Sequence, residues 1–134
     1  MKLSEAIRLG SLTTHQTFGS VVSWNFDGHG GAHPVDTCAL GAAAHAKGLL
    51  GDFFDPLPID YDRIHLSFPT LDLLVKDPFL GRTRRVNQII IDLNDSHKWS
   101  REQIANWVEG VERNHTPKNF SDDSVITEEV TIPA

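Results

Sequence analysis

A single cysteine, Cys38, among 134 residues rules out an internal disulfide and fits a reducing compartment. No stretch approaches the ~20 consecutive apolar residues of a membrane helix, and Met1-Lys2-Leu3-Ser4-Glu5 lacks the apolar core of a signal peptide. The expectation is therefore a cytoplasmic protein, or a particle assembled in the cytoplasm, without membrane association. Positive charge is scarce: 12 Lys and Arg against 18 Asp and Glu give a net charge of −6, which favours solubility and makes nucleic acid an unlikely main partner. The chain has no phosphate-cradling glycine loop, nucleophile elbow or paired-carboxylate motif. It also has no internal repeat. These absences remove the commonest enzyme signatures, and no cofactor is expected.

What is present reads as one domain. A chain near 150 residues buries roughly two-thirds of its unfolded surface, and 40% hydrophobic with 22% charged residues is ordinary for a globular protein. The best-specified stretch runs from Leu93 to Glu109. Ser100 and Gln103 have capping-box spacing, and Trp99 and Ile104 fit a hydrophobic staple. Ile104, Trp107, Val108 and Val111 then follow on one helical face. Val86, Ile89, Ile90 and Leu93 repeat at helical spacing just before it, against the strand preference of three consecutive isoleucines. The short connection predicts an antiparallel pair of helices.

Upstream, Ser4 is expected to cap a short first helix that Gly10 stops. Val22, Trp24 and Phe26 alternate with polar residues, so 17–36 reads as an extended arm or hairpin. Asp36 or Thr37 should cap a helix beginning at Cys38 and ending at Gly48. Its alanines, with Gly41 roughly 1 kcal/mol worse than Ala in a helix, imply close backbone packing, and its lack of bulk suits Trp99 and Trp107. Residues 51–60 form an acidic loop punctuated by Pro56 and Pro58. Pro69 should open a short helix through Leu71, Leu73, Leu74 and Val75, followed by a basic turn at Gly81-Arg82-Thr83-Arg84-Arg85.

Several constellations bear on chemistry. Cys38, placed in the first turn of a helix, could be a thiolate activated by one of seven histidines, with Asn94 or Asp95 orienting the base. Free cysteine is more often a small buried hydrophobe, so a structural role is favoured. His29, His33 and Cys38 offer nitrogen and sulfur for a transition metal, without a paired ligand motif. Asp92, Asn94 and Ser96 imitate the start of a calcium loop, but His97 and Gln103 stand where glycine and glutamate are needed. A helix-turn-helix reading fails because Glu102, Glu109 and Glu112 would meet phosphates. The apolar residues Phe53, Phe54, Leu57 and Ile59 in the loop, and Val125, Ile126, Val130 and Ile132 in the acidic tail 115–134, are candidates for an interaction surface.

Three blocks carry a resemblance: Met1–Gly10, Cys38-Ala39-Leu40-Gly41-Ala42-Ala43, and Leu93-Asn94-Asp95 with Trp99 through Glu109. Together they resemble a group of small bacterial and phage-like proteins with no assigned activity. The resemblance implies a short N-terminal helix, a Cys-Ala-Leu-Gly-Ala helix and a Trp-containing final helix, and transfers no functional residue. The His- and Gly-rich 17–36 region and the long tail depart from it. The reading is a mainly α, single-domain helical bundle (1–114) with a minor extended or β-hairpin element and an extended tail. The leading functional expectation is a non-enzymatic interaction or structural protein, a subunit of an oligomer or larger assembly. A thiol-dependent enzyme or sensor at Cys38, and a metal-binding protein through His29, His33 and Cys38, are the alternatives.

Overall fold

A computed structural model of the chain describes residues 1–24, 35–51 and 55–115. Helix α1 (Leu3–Ser11) is followed by three short strands, β1 (His15–Gln16), β2 (Val22–Trp24) and β3 (Val35–Thr37). Next come helices α2 (Ala39–Ala46) and α3 (Tyr61–Ser67), then a 3-10 turn over Pro69–Asp72. Strands β4 (Leu74–Lys76) and β5 (Thr83–Arg85) lead into α4 (Val86–Asp95) and α5 (Arg101–His115). In the first sheet β3 is central, parallel to β1 and antiparallel to β2, with Val22 opposite Thr37 and Trp24 opposite Val35. β4 and β5 form a separate antiparallel pair. Helices dominate, yet the two small sheets make the architecture mixed α and β rather than the clean helical bundle expected. The extended element does occur in 17–36, as β2 and the start of β3.

The last helix forms as its sequence dictates. The Ser100 N–H donates to Gln103 Oε1 at 2.8 Å and the Gln103 N–H to Ser100 Oγ at 3.0 Å, a reciprocal capping box. Ile104, Ala105, Val108 and Val111 are buried. The isoleucine run is helical: Ile89 and Ile90 enter the core and Ile91 faces out. Gly48 ends α2 in the left-handed region at φ +73°.

Four local expectations are corrected. Ser4 does not cap α1; the cap is Lys2, whose N–H donates to Glu5 Oε1 at 2.8 Å. Ser4 is instead the second residue of the helix and buried, and Glu112 accepts from its N–H at 3.1 Å and its hydroxyl at 2.6 Å. Gly10 does not stop the helix. It lies inside α1, where a Cβ would sit 1.8 Å from the Ala42 carbonyl oxygen, so its missing side chain lets α1 cross directly onto α2. The cap of α2 is Cys38 itself, rather than Asp36 or Thr37. The run after Pro69 makes a single 3-10 turn and then a strand. Leu71, Leu73, Val75 and Asp77 alternate inward while Asp72, Leu74 and Lys76 face out, a period of two that the leucine content obscures. The basic stretch pairs with it as β5.

The core gathers Leu3, Ile7, Leu40, Ile64, Phe68, Ile89, Ile90, Leu93, Ile104 and Val108. α2 packs chiefly on α1, and little on α5. Trp99 and Trp107 are half-buried and pack against the core from its edge.

Candidate functional site

The second and third sequence blocks meet at the amino end of α2. Asn94, fully buried near the end of α4, uses all its side-chain capacity there. Its Oδ1 accepts from the Ala39 N–H at 3.2 Å and from Gln16 Nε2 at 2.8 Å. Its Nδ2 donates to the Thr17 carbonyl at 2.9 Å and to Asp95 Oδ1 at 2.8 Å. Gln16 also donates to the Trp99 carbonyl at 2.8 Å, and the Gly19 N–H reaches Asp95 Oδ1 at 2.9 Å. Asn94 thus ties α2 and the β1–β2 connection to α4, and Gln16 adds the turn before α5. An orphan helix amide needs such an acceptor when it is buried.

Beside it, Arg101 starts α5 and lies half-buried. One amino group donates to Thr14 Oγ1 at 2.7 Å and Thr37 Oγ1 at 3.0 Å. The other donates to the Thr14 carbonyl at 2.7 Å and the Ser11 carbonyl at 3.4 Å. Burial lowers its pKa from the usual arginine value, opposed by the negative charge of Asp36. Its planar fork matches acceptors from two segments at once, which a lysine could not do.

Cys38 sits inside this polar ring. It is 5% exposed, and its Sγ accepts from the Gly41 N–H at 3.4 Å. Burial raises its pKa and outweighs the backbone hydrogen bonds that lower it. A neutral, enclosed thiol is a poor nucleophile. Among the described residues no histidine hydrogen-bonds to it, and His45 at the other end of α2 is held neutral by burial. Asn94 orients no base: its acceptor and donors are spent on the Ala39 N–H, Gln16, the Thr17 carbonyl and Asp95, and Asp95 Oδ1 accepts from Asn94 and the Gly19 N–H.

Of the interaction residues expected from sequence, Leu57 is 43% exposed and Ile59 is half-buried against the core. With Leu49 and Tyr61 they line an open concavity of about 570 Å³. Phe53, Phe54, Val125, Ile126, Val130 and Ile132 lie outside the described residues, as do the metal candidates His29 and His33. Among the described residues no three His, Cys, Asp or Glu side chains cluster as metal ligands.

Sequence reasoning missed further large apolar side chains left exposed. Tyr61 (51% exposed), Leu66 (80%), Leu74 (63%), Phe79 (51%) and Leu80 (55%) project from α3, β4 and the turn beyond it. Phe79 stacks on the His97 ring at 3.7 Å, with Trp99 edge-on at 5.8 Å. The turn carrying Phe79 is organised by buried Asp77, which accepts from the Phe79 N–H at 2.8 Å, the Leu80 N–H at 2.9 Å and Arg84 at 2.9 Å. Arg84 also pairs with Asp92. Burial alone would raise the Asp77 pKa, but the two amides and Arg84 prevail and lower it. An Asp-Pro turn signal was legible, but nothing local marks the following aromatic as exposed.

Comparison with protein-family models, curated proteins and solved structures finds no match to this chain.

Proposed function

We propose that the protein is a non-enzymatic subunit of an assembly, joining a second copy through the surface spanning residues 57–80. The carrying observation is the concentration there of large side chains left in water: Leu57, Tyr61, Leu66, Leu74, Phe79 and Leu80. Scattered apolar residues are normal on any surface, whereas a concentration of them marks a contact region. Fully burying an exposed apolar side chain is worth about 1.5–3 kcal/mol, and these, being 43–80% exposed, would each gain a corresponding part of that. The enclosure of Cys38 supports the same reading, because the most nucleophilic side chain available is spent on capping a helix. The arrangement at Asn94 and Arg101 supports it too, since it closes the amino end of α2 to a ligand.

Size-exclusion chromatography with light scattering tests this. The expected result is a mass that rises above the monomer with concentration, returning to the monomer in the double variant Leu66→Ser/Leu74→Ser. A monomer at every concentration, with no protein co-purifying, would overturn it. A stoichiometric heterologous partner would reassign the surface from self-assembly to that partner.

A further inference from the structure

The β4–β5 hairpin has one edge that the described fold leaves open. The Asp77 N–H donates to the Arg82 carbonyl at 2.8 Å and the Val86 N–H to the Leu73 carbonyl at 2.9 Å, with Val75 opposite Arg84. In an antiparallel ladder every second residue bonds to the partner strand. The backbone groups of Leu73, Val75 and Asp77 therefore face β5, and those of Leu74 and Lys76 face the other way. Among the described residues no backbone group bonds to Leu74 or Lys76 on that side, and β4 pairs only with β5. Nor does α5 press on this stretch of β4. A concavity of about 280 Å³ lies between Val75 and Lys76 on one wall and Trp107 and Gly110 on the other. Edge strands are commonly blunted with several charges or an internal proline. This one has a single charge, at Lys76, beside Leu74, which is 63% exposed.

We infer that a second copy docks by adding its own β4 antiparallel to this edge, about a two-fold axis at Val75. The inference rests on the assembly proposed above and specifies its geometry. Register follows from which backbone groups are available. Centring the pair on Leu74 sets Lys76 against Asp72, which belongs to the 3-10 turn, so only the Leu74 groups can bond. Centring it on Lys76 puts two ammonium side chains directly opposite each other, which destabilises a sheet. Centring it on Val75 sets Leu74 against Lys76 of the other copy, twice over. Every outward N–H and C=O of the strand is then used, in two reciprocal pairs of hydrogen bonds. The lysine stem lies along the facing leucine and keeps its charge in water. Net charge permits the approach. Residues 57–85 hold four Asp against five Lys and Arg, in a chain whose net charge is −6. Two copies therefore meet here without the repulsion that the excess of acid brings elsewhere. A two-fold contact closes on itself, so the product is a dimer rather than a fibre.

Cysteine crosslinking on the full chain, beside light scattering, tests it. Cys38→Ser removes the native thiol, and Leu74→Cys and Lys76→Cys are made separately in that background. Bonded partners in an antiparallel pair have Cα atoms about 5.5 Å apart, inside the roughly 4.4–6.8 Å span of a disulfide. Diagonal neighbours are about 7–8 Å apart. An equal mixture of the two variants should therefore oxidise to covalent dimer in about tenfold higher yield than either alone. Lys76→Pro removes an outward N–H that no described residue uses. It should abolish the dimer while the melting temperature stays close to that of the wild type. Should it fail to fold, the cysteine pair decides alone. A dimer whose cysteines crosslink no better in the mixture, or that survives in folded Lys76→Pro, would overturn this pairing and leave the assembly reading standing. A monomer at every concentration would overturn both.

Discussion

The amino end of α2 and the β4–β5 hairpin solve the same problem with different chemistry. Each must hold a turn of backbone against α4. At α2 the tie is Asn94, a neutral side chain making four hydrogen bonds in full burial. At the hairpin the tie is ionic, with Arg84 between Asp77 and Asp92. The Asn94 tie is made by an uncharged side chain enclosed by its partners. The ionic tie lies beside Phe79 and Leu80, which stay in water. The contrast separates a part that specifies the fold from a part that presents a surface, and it assigns each a distinct response to mutation and pH.

The sharpest way to break the contrast is Asn94→Leu. It strands the Ala39 N–H, Gln16 Nε2 and the Thr17 carbonyl, at about 1 kcal/mol or more each, so denaturant unfolding should show a loss of about 3 kcal/mol. None of the four partners of Asn94 is a histidine, and the loss should be constant between about pH 5.5 and 8. A loss below about 1 kcal/mol would mean the node is ornamental.

Asp77→Asn comes next. It weakens charge-assisted bonds to two amides and Arg84, with an expected loss of about 1–2 kcal/mol at neutral pH. Because the folded pKa of Asp77 is depressed, its contribution is complete above the ordinary aspartate value, about 3.9. It is lost as the pH falls through the folded value. Thermal melts from neutral to strongly acidic pH should therefore show the wild type and the variant converging below about pH 4. Parallel curves would contradict the ionic role.

The smallest effect belongs to Cys38. Serine is also a good helix cap, so Cys38→Ser should change stability by about 1 kcal/mol or less. The native thiol should resist iodoacetamide at neutral pH and react once the chain is unfolded. Rapid alkylation of the folded protein would reopen the thiol-enzyme reading.

How much of this could be read from sequence follows the range of each interaction. The α5 capping box joins residues three apart and was legible in full, as were α4 and the stop at Gly48. At Leu57 and Ile59 the prolines excluded a helix, but the choice between core and surface was not legible, and the two divide: Leu57 is exposed and Ile59 packs half-buried against the core. The node at Asn94 was not legible. Its partners are 55, 77 and 78 positions away, and an Asn-Asp pair at a helix end looks like ordinary turn chemistry. Gly10 was misread for the same reason: a glycine at a helix end and one beneath a crossing helix are identical until the crossing helix is known. β4 was lost because its leucines suit helix, and only the alternation of burial reveals the strand.

The carboxylate of Glu112 holding Ser4 has a consequence in time. The two residues are 108 positions apart, so at a ribosomal pace of about 5–20 residues per second roughly 5–20 s separate their synthesis. Throughout that interval the first helix has neither its N-terminal clasp nor the α5 surface it packs on. The chain can complete its opening element only after making its last described one, so its fold closes like a ring rather than growing from its start. A ribosome paused anywhere before α5 would hold a chain whose first helix is still waiting for its partner.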